Sequence, residues 1–196
     1  MSRISEQTYT VDIRYDEDRK IALREDWWKG GCRHRDGAPS YIVRDAKTGL
    51  VVREWWNQNG RTDRDGDLPA ETKWDRETGV AVYEAYYFWN KLDRKTGPAV
   101  INRDPITGAE IRREWYHGGL LGRPDTAPHE PSLEVIDPTT RIVTREQYHF
   151  DGQLHRRDGP AIIERDAENG RTLITRYFLR DEELKSLPAF VAPPEL

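Results

Sequence analysis

The chain has 196 residues, room for one domain or one continuous array and too little for two full-sized domains. Only 36% of it is hydrophobic and 34% is charged, too few apolar residues for an ordinary globular core. Seven Trp and a net charge of only -4 exclude the usual aromatic-poor disordered chain, and 31 basic against 35 acidic residues supply no basic footprint for nucleic acid or a membrane surface.

In chain order, Met1 to Glu6 lead into polar sequence with no apolar leader, and the longest apolar runs, such as Leu50-Val51-Val52, are far too short to cross a bilayer. The single Cys32 requires no oxidising compartment, so a cytoplasmic protein is expected. Val11 to Asp16 followed by Ile21-Ala22-Leu23 predicts an opening hairpin. A phrase of Arg-Glu and aromatics then recurs: Arg24-Glu25-Asp26-Trp27-Trp28, Arg53-Glu54-Trp55-Trp56, Tyr83-Glu84-Ala85-Tyr86-Tyr87, Arg113-Glu114-Trp115-Tyr116 and Arg145-Glu146-Gln147-Tyr148. Its glutamates succeed one another at 29, 30, 30 and 32 residues, and a fainter copy stands at Arg176-Tyr177-Phe178. Such a period marks a repeat array of about six units.

Two landmarks sit inside each unit. One is a turn-rich segment, clearest at Asp151 to Ala161, with a good copy at Asp93 to Ala99 and degraded ones at Arg33 to Gly37 and Arg64 to Gly66. The other is a hairpin tip of Asp-x-x-x-Gly form at Asp45 to Gly49, Asp75 to Gly79, Asp104 to Gly108 and Asp166 to Gly170, with Asp137-Pro138-Thr139-Thr140 as a variant. An Asp that bonds the backbone ahead and a Gly that accepts positive φ define such a loop. Flanking runs such as Tyr41-Ile42-Val43 have strand composition. The reading is all-β: an elongated antiparallel hairpin-repeat ribbon forming one domain over 1–196. Its units are a half unit at 10–23, then 24–52, 53–82, 83–112, 113–143 and 144–174, and a cap at 175–196. Asp181-Glu182-Glu183-Leu184-Lys185-Ser186, with an N-cap residue and helix formers, predicts a short C-terminal capping helix ending before Pro188. Such a cap is expected because open sheet edges invite aggregation.

The Tyr148 to Ala161 phrase, an aromatic and then Gly-x-Leu-His-Arg-x-Asp-Gly-Pro-Ala, resembles the degenerate MORN-like repeats, including YwqK-type antitoxin or immunity proteins. The resemblance implies a hairpin-repeat scaffold and, for function, a toxin-neutralising role. The sequence departs from that family in keeping the motif His only as His155, with His34 shifted and Asp63 and Asp93 elsewhere, and in its longer unit.

A search for chemistry finds structural readings throughout. The five His lack ligand spacing, so no metal and no cofactor are expected. Asp63-Arg64-Asp65-Gly66-Asp67 imitates the opening of a calcium loop, but its glycine is misplaced and its twelfth position is Trp74 instead of Glu. Cys32 falls in a slot that aligns with Leu92 and Leu154, which suggests a small packing residue. No nucleophile elbow or phosphate loop is present, so an enzyme is not expected. Two places beyond each motif glutamate stand Trp27, Trp56, Tyr86, Tyr116 and Tyr148, read as one core column. The aromatics left over, Trp28, Trp55, Trp74, Tyr87, Trp89 and Trp115, are the candidate partner-binding residues.

The leading reading is a non-catalytic protein-binding module of inhibitor, antitoxin or immunity type. A small-ligand or nucleic-acid binder using Trp faces, such as a phage- or mobile-element-encoded anti-defence factor, is the alternative, opposed on the nucleic-acid side by the charge. An enzyme built in a groove between repeats is the third. A homodimer along a sheet edge stays open.

Overall fold

The computed structural model describes residues 8–123 and 129–185. All regular structure in them is β. One open antiparallel sheet of 14 strands follows chain order, with only the short Cys32–Arg33 off its main path. Thr10–Asp16 pairs with Ile21–Lys29, and then each unit adds two strands. These are Tyr41–Arg44 with Val51–Trp55, Glu71–Trp74 with Ala81–Ala85, Val100–Arg103 with Glu110–Glu114, Leu133–Ile136 with Val143–Gln147, and Ile162–Arg165 with Thr172–Leu179. No helix of the described residues is long and apolar enough to cross a membrane.

The hairpin tips form as their composition dictates. Asp45 Oδ1 accepts from the backbone N–H groups of Lys47 and Thr48 at 2.9 and 3.0 Å, and Gly49 takes a φ of 73° to close the loop. Asp75, Asp104, Asp137 and Asp166 repeat the arrangement, and at the Asp137 tip Arg141 occupies the left-handed position at φ 63°. The register slips by one residue just inside every tip, for example between Val43 and Arg44, so each hairpin carries a bulge.

The turn-rich segment holds more structure than its sequence announces. Each unit inserts a minihairpin there: the end of Ile21–Lys29 with Cys32–Arg33, Asn57–Gln58 with Arg61–Thr62, Tyr87–Phe88 with Lys91–Leu92, Tyr116–His117 with Leu120–Leu121, and His149–Phe150 with Gln153–Leu154. Two residues at positive φ close each one, as a type I′ turn demands, for example Asn59 and Gly60 at 48° and 77°. The minihairpins also stack on each other. The second turn residue donates its N–H to the preceding unit, Gly60 to Arg33, Asn90 to Thr62, Gly119 to Leu92, Gly152 to Leu121 and Asp181 to Leu154, at 2.9–3.0 Å.

The expected C-terminal helix is not there. Arg180 and Asp181 take φ values of 52° and 65°, and Glu182–Leu184 returns as a strand along Tyr177–Leu179. This is one more minihairpin. Asp181 acts as a turn residue bonded to Leu154 on both sides, through its N–H and its carboxylate, instead of capping a helix. Tertiary pairing overrides the helix preference of Glu182 to Lys185. Ser186, the last residue of the expected helix, lies outside the described residues.

The scattered motif His now has a physical account. His34, Asp63, Asp93, Gly122 and His155 occupy one structural slot, each donating its N–H to the carbonyl of the aromatic seven residues before it. In four of the five, the side chain accepts from the first turn N–H of the next minihairpin. His34 Nδ1 takes Asn59 at 3.0 Å, Asp93 takes Gly118 at 2.8 Å, His155 Nδ1 takes Arg180 at 3.2 Å, and Asp63 takes Trp89. The slot needs an acceptor, which neutral His and Asp both supply. Burial, followed by the charges of Arg157 and Arg180, holds His155 below the ordinary histidine value of 6.5. A depressed folded value contributes stability that is present above pH 6.5 and lost as pH falls through the folded value. His149, lowered by burial, acts with the same sign. The Tm loss between pH 7.5 and pH 5.5 should therefore be smaller in His155→Asp, which keeps an acceptor, than in the parent. Equal losses would show that the His155 ring does not carry this bond.

Candidate functional site

Strand alternation sorts the aromatics onto two faces. One face carries Trp27, Trp56, Tyr86, Trp115 and Tyr148 in equivalent positions, each donating its backbone N–H to a small residue, Ser40, Ala70, Ala99, Ser132 and Ala161 respectively, at 2.8–2.9 Å. Over each ring lies an arginine: Arg35, Arg64, Arg94, Arg123 and Arg156 stand 3.7–3.8 Å from the ring centroids. Each guanidinium also donates to a proline carbonyl, of Pro39, Pro69, Pro98, Pro131 and Pro160, at 2.7–3.5 Å.

The fourth member of the column is Trp115, not Tyr116. The unit there has Arg113 in the slot held by Glu25, Glu54, Glu84 and Glu146, so Glu114 stands one residue out of phase. Counting from glutamates misplaces the aromatic by one, and a one-residue slip exchanges the faces. Tyr116 instead opens the fourth minihairpin, its hydroxyl donating to Glu114 at 2.8 Å.

The six candidate residues do not converge. Trp28, Trp55 and Tyr87 share the opposite face, half-buried beside ion pairs such as Arg33–Asp26 and Arg53–Glu71. The indole N–H groups of Trp28 and Trp55 are buried without an acceptor, and their rings meet the guanidinium groups of Arg33 and Arg53 at 5.2 and 4.6 Å. Trp74 stands in the slot where Arg44, Arg103 and Arg165 pair with Glu25, Glu84 and Glu146. Trp115 is in the arginine column. Trp89 alone of the six is largely exposed, at 57%.

Trp89 belongs to a different surface. It sits in the third minihairpin turn at φ 49°, its ring stacked on Phe88 at 5.8 Å and 24° and covered by Arg61 at 4.2 Å. Phe88 is 61% exposed, and the next two minihairpins present Leu120 at 51% and Phe150 at 40%. Backbone bonds from Gly119 to Leu92 and from Gly152 to Leu121 fix these minihairpins side by side, so the four residues line one ridge. Phe88, Leu120 and Phe150 went unnoticed in the sequence. The signal that marks them is their place flanking the two-residue turns Trp89-Asn90, Gly118-Gly119 and Asp151-Gly152.

The other chemical groups have structural duties. Asp63, Asp65 and Asp67 part ways: burial pushes the Asp63 carboxyl up while it accepts from Trp89, Asp65 accepts from Gln58, and Asp67 binds Arg94 and Thr96. Among the described residues, no group of three or more His, Cys, Asp or Glu converges as metal ligands. Cys32 is exposed and pairs with Lys29, equivalent to Lys91 and Gln153, so it is not the packing residue that the leucine alignment suggests. An open groove of about 430 Å³ runs between Tyr86 and Trp115, past Arg94, Arg103 and Arg113. All three arginines are already engaged, by Asp67, Glu84 and the pair Glu110 and Glu134. No protein-family model, curated protein or solved structure matches the chain.

The column makes a direct demand on stability. Trp115→Ala should cost about 3 kcal/mol, as loss of a packed aromatic does, while Phe150→Ala on the ridge should cost less than about 1 kcal/mol. Urea denaturation of the two variants measures this, and a Trp115→Ala protein as stable as the parent would remove Trp115 from the column.

Proposed function

We propose that the protein is a non-catalytic protein-binding module of inhibitor or immunity type, and that its partner docks on the minihairpin ridge around Phe88 and Trp89. The observation that carries this reading is the conformation of Trp89. A bulky side chain at positive φ is a backbone outlier costing on the order of 1–2 kcal/mol. The equivalent turn position holds Gly30, Asn59, Gly118, Asp151 or Arg180 in the other minihairpins, so the fold itself asks for no tryptophan there. Strain of this kind, kept at an exposed aromatic, points to recognition. Phe88 stacked beside it and the ring of polar neighbours Arg61 and Lys91 give the layout of an aromatic anchor with a charged rim. The MORN-like resemblance supports the same class of function, and every landmark that recurs in each unit already has a scaffold duty, which leaves catalysis without residues.

Replacing Trp89 by asparagine separates stability from binding. Trp89→Asn should melt no lower than the parent, because asparagine accepts this turn conformation. It should also lose the partner, weakening affinity by about 2 kcal/mol or more, roughly thirtyfold. Affinity capture from the source cells, with parent and variant proteins as matched baits, reads the outcome. Retention of the same proteins at the same level by both baits would reject the ridge, and turnover of a captured partner's substrate by the purified protein would reject the non-catalytic reading.

A further inference from the structure

The last long strand of the sheet, Thr172–Leu179, has only part of its outer edge covered. Thr172 to Arg176 pair with Ile162–Arg165 on the inner side, but on the outer side only Tyr177–Leu179 has a described partner, Glu182–Leu184. Thr172 to Arg176 are all exposed, Leu173 at 64% and Ile174 at 46%. Such an apolar edge is a template for another strand.

In every earlier unit that edge is taken by the strand that follows the minihairpin. Arg24 to Asp26 receive Tyr41–Arg44, Arg53 to Trp55 receive Glu71–Trp74, and Tyr83 to Ala85 receive Val100–Arg103. Arg112 to Glu114 receive Leu133–Ile136, and Arg145 to Gln147 receive Ile162–Arg165. Each incoming strand begins just after a proline and a fully or nearly fully buried small residue: Pro39-Ser40, Pro69-Ala70, Pro98-Ala99, Pro131-Ser132 and Pro160-Ala161. The amino-acid sequence carries the phrase once more, at Pro188-Ala189-Phe190-Val191-Ala192, beside Pro98-Ala99-Val100-Ile101-Asn102 and Pro160-Ala161-Ile162-Ile163-Glu164. Three residues separate Leu184 from Pro188, one fewer than the four between His155 and Pro160, its counterparts one unit earlier.

We propose that residues 189–192 dock on the open edge at Thr172 to Arg176 as a further antiparallel strand of the same sheet. Carrying over the pairing of Ile162 with Gln147 and of Ile163 with Glu146, Phe190 falls opposite Arg176, Val191 opposite Thr175 and Ala192 opposite Ile174. Pro193 and Pro194 follow directly, and with no N–H to donate they give the next chain a poor edge to extend. The segment thus does the work expected of the C-terminal cap, by strand addition instead of by a helix, and it bars a second copy from the edge.

Engineered cysteines test both the segment and its register in the full chain. With Cys32→Ser as background, Thr175→Cys combined with Val191→Cys places two thiols directly opposite on one face, within the Cα separation of about 4.4–6.8 Å that a disulfide spans. Thr175→Cys combined with Phe190→Cys aims them at opposite faces. Thr175 is exposed, so the changes leave the fold intact. After mild oxidation, the first pair should close within one chain, at least tenfold faster than the second. No disulfide, equal rates in the two pairs, or a disulfide found only between two chains would each overturn the proposal, the last by assigning the edge to a second copy.

Discussion

The arrangement of each unit depends on one arginine, clamped between the face of an aromatic ring and the carbonyl of a proline. An open sheet with charged residues on both faces buries only a thin row of apolar side chains, such as Ile42, Val100, Ile101, Leu133 and Ile162, and it needs a further way to fix its connections. The guanidinium groups of Arg35, Arg64, Arg94, Arg123 and Arg156 supply it, each joining the end of one strand to the start of the next through a ring 3.7–3.8 Å away and a carbonyl. A stacked arginine of this kind is worth about 0.5–2 kcal/mol, and it also spends the long aliphatic stem as packing surface. This is how a chain with 36% hydrophobic residues stays ordered. Arginine is counted as polar, yet here it performs the duty of a core residue. Lysine, with no planar face to lay on the ring, is a poor substitute.

Around the clamp, neighbouring positions change together from unit to unit. The small residue after the proline is Ser40 or Ser132 in two units and alanine in three. Where it is serine, the residue 17 places on is polar and bonds to it: Ser40 to Asn57 Oδ1 at 2.8 Å, and Ser132 to His149 Nδ1 at 2.8 Å. Where it is alanine, at Ala70, Ala99 and Ala161, the same place holds Tyr87, Tyr116 and Phe178. A buried hydroxyl facing an aromatic edge would lose its partner, so the two positions are coupled by the cost of an unmade hydrogen bond. The glutamate and arginine that bridge adjacent hairpins behave alike. Glu25 binds Arg44, Glu84 binds Arg103 and Glu146 binds Arg165, but where Arg113 replaces the glutamate the partner slot holds the buried Ile136. A second arginine there would face a like charge.

The period, the tips and the all-β class were legible because each rests on local chemistry: an Asp that accepts from the two residues ahead, a Gly at positive φ, and an aromatic every 29 to 33 residues. What stayed hidden depends on contacts between units. The run Asp181 to Lys185 has the composition of a helix start, and only the bond from Asp181 to Leu154, 27 residues away, decides otherwise. The two-residue turns were obscured because their residues vary from Gly30-Gly31 to Trp89-Asn90 to Arg180-Asp181, and only the positive φ is common to them. Cys32 and Trp115 were each misplaced by a single position, since units of unequal length allow an alignment by residue type to drift while the register does not. Of the candidate partner-binding residues only Trp89 lies on the exposed ridge, and its three neighbours there were not among them.

The regularity of the scaffold is what gives the exceptions their weight. When each slot in a repeat has an identified mechanical duty, a residue that serves none of them at its position calls for a reason outside the scaffold. Trp74 is such an exception, but it is half-buried, in the slot where other units place an arginine that pairs with a glutamate. Arg113 is another, and Ile136, Glu110 and Glu134 accommodate it. Trp89 differs from both. The backbone of its turn asks for no tryptophan: Asp63 and Thr62 bind the backbone and Asn90 of that turn, and they would hold an asparagine or a glycine at position 89 equally well. Its ring faces solvent beside Phe88 and is the least compatible of the six turn residues with its own backbone. The fold tolerates Trp89 because the stacked minihairpins on either side leave the turn no other conformation, and that rigidity is also what an exposed anchor needs, since a side chain already held in place loses little freedom on binding.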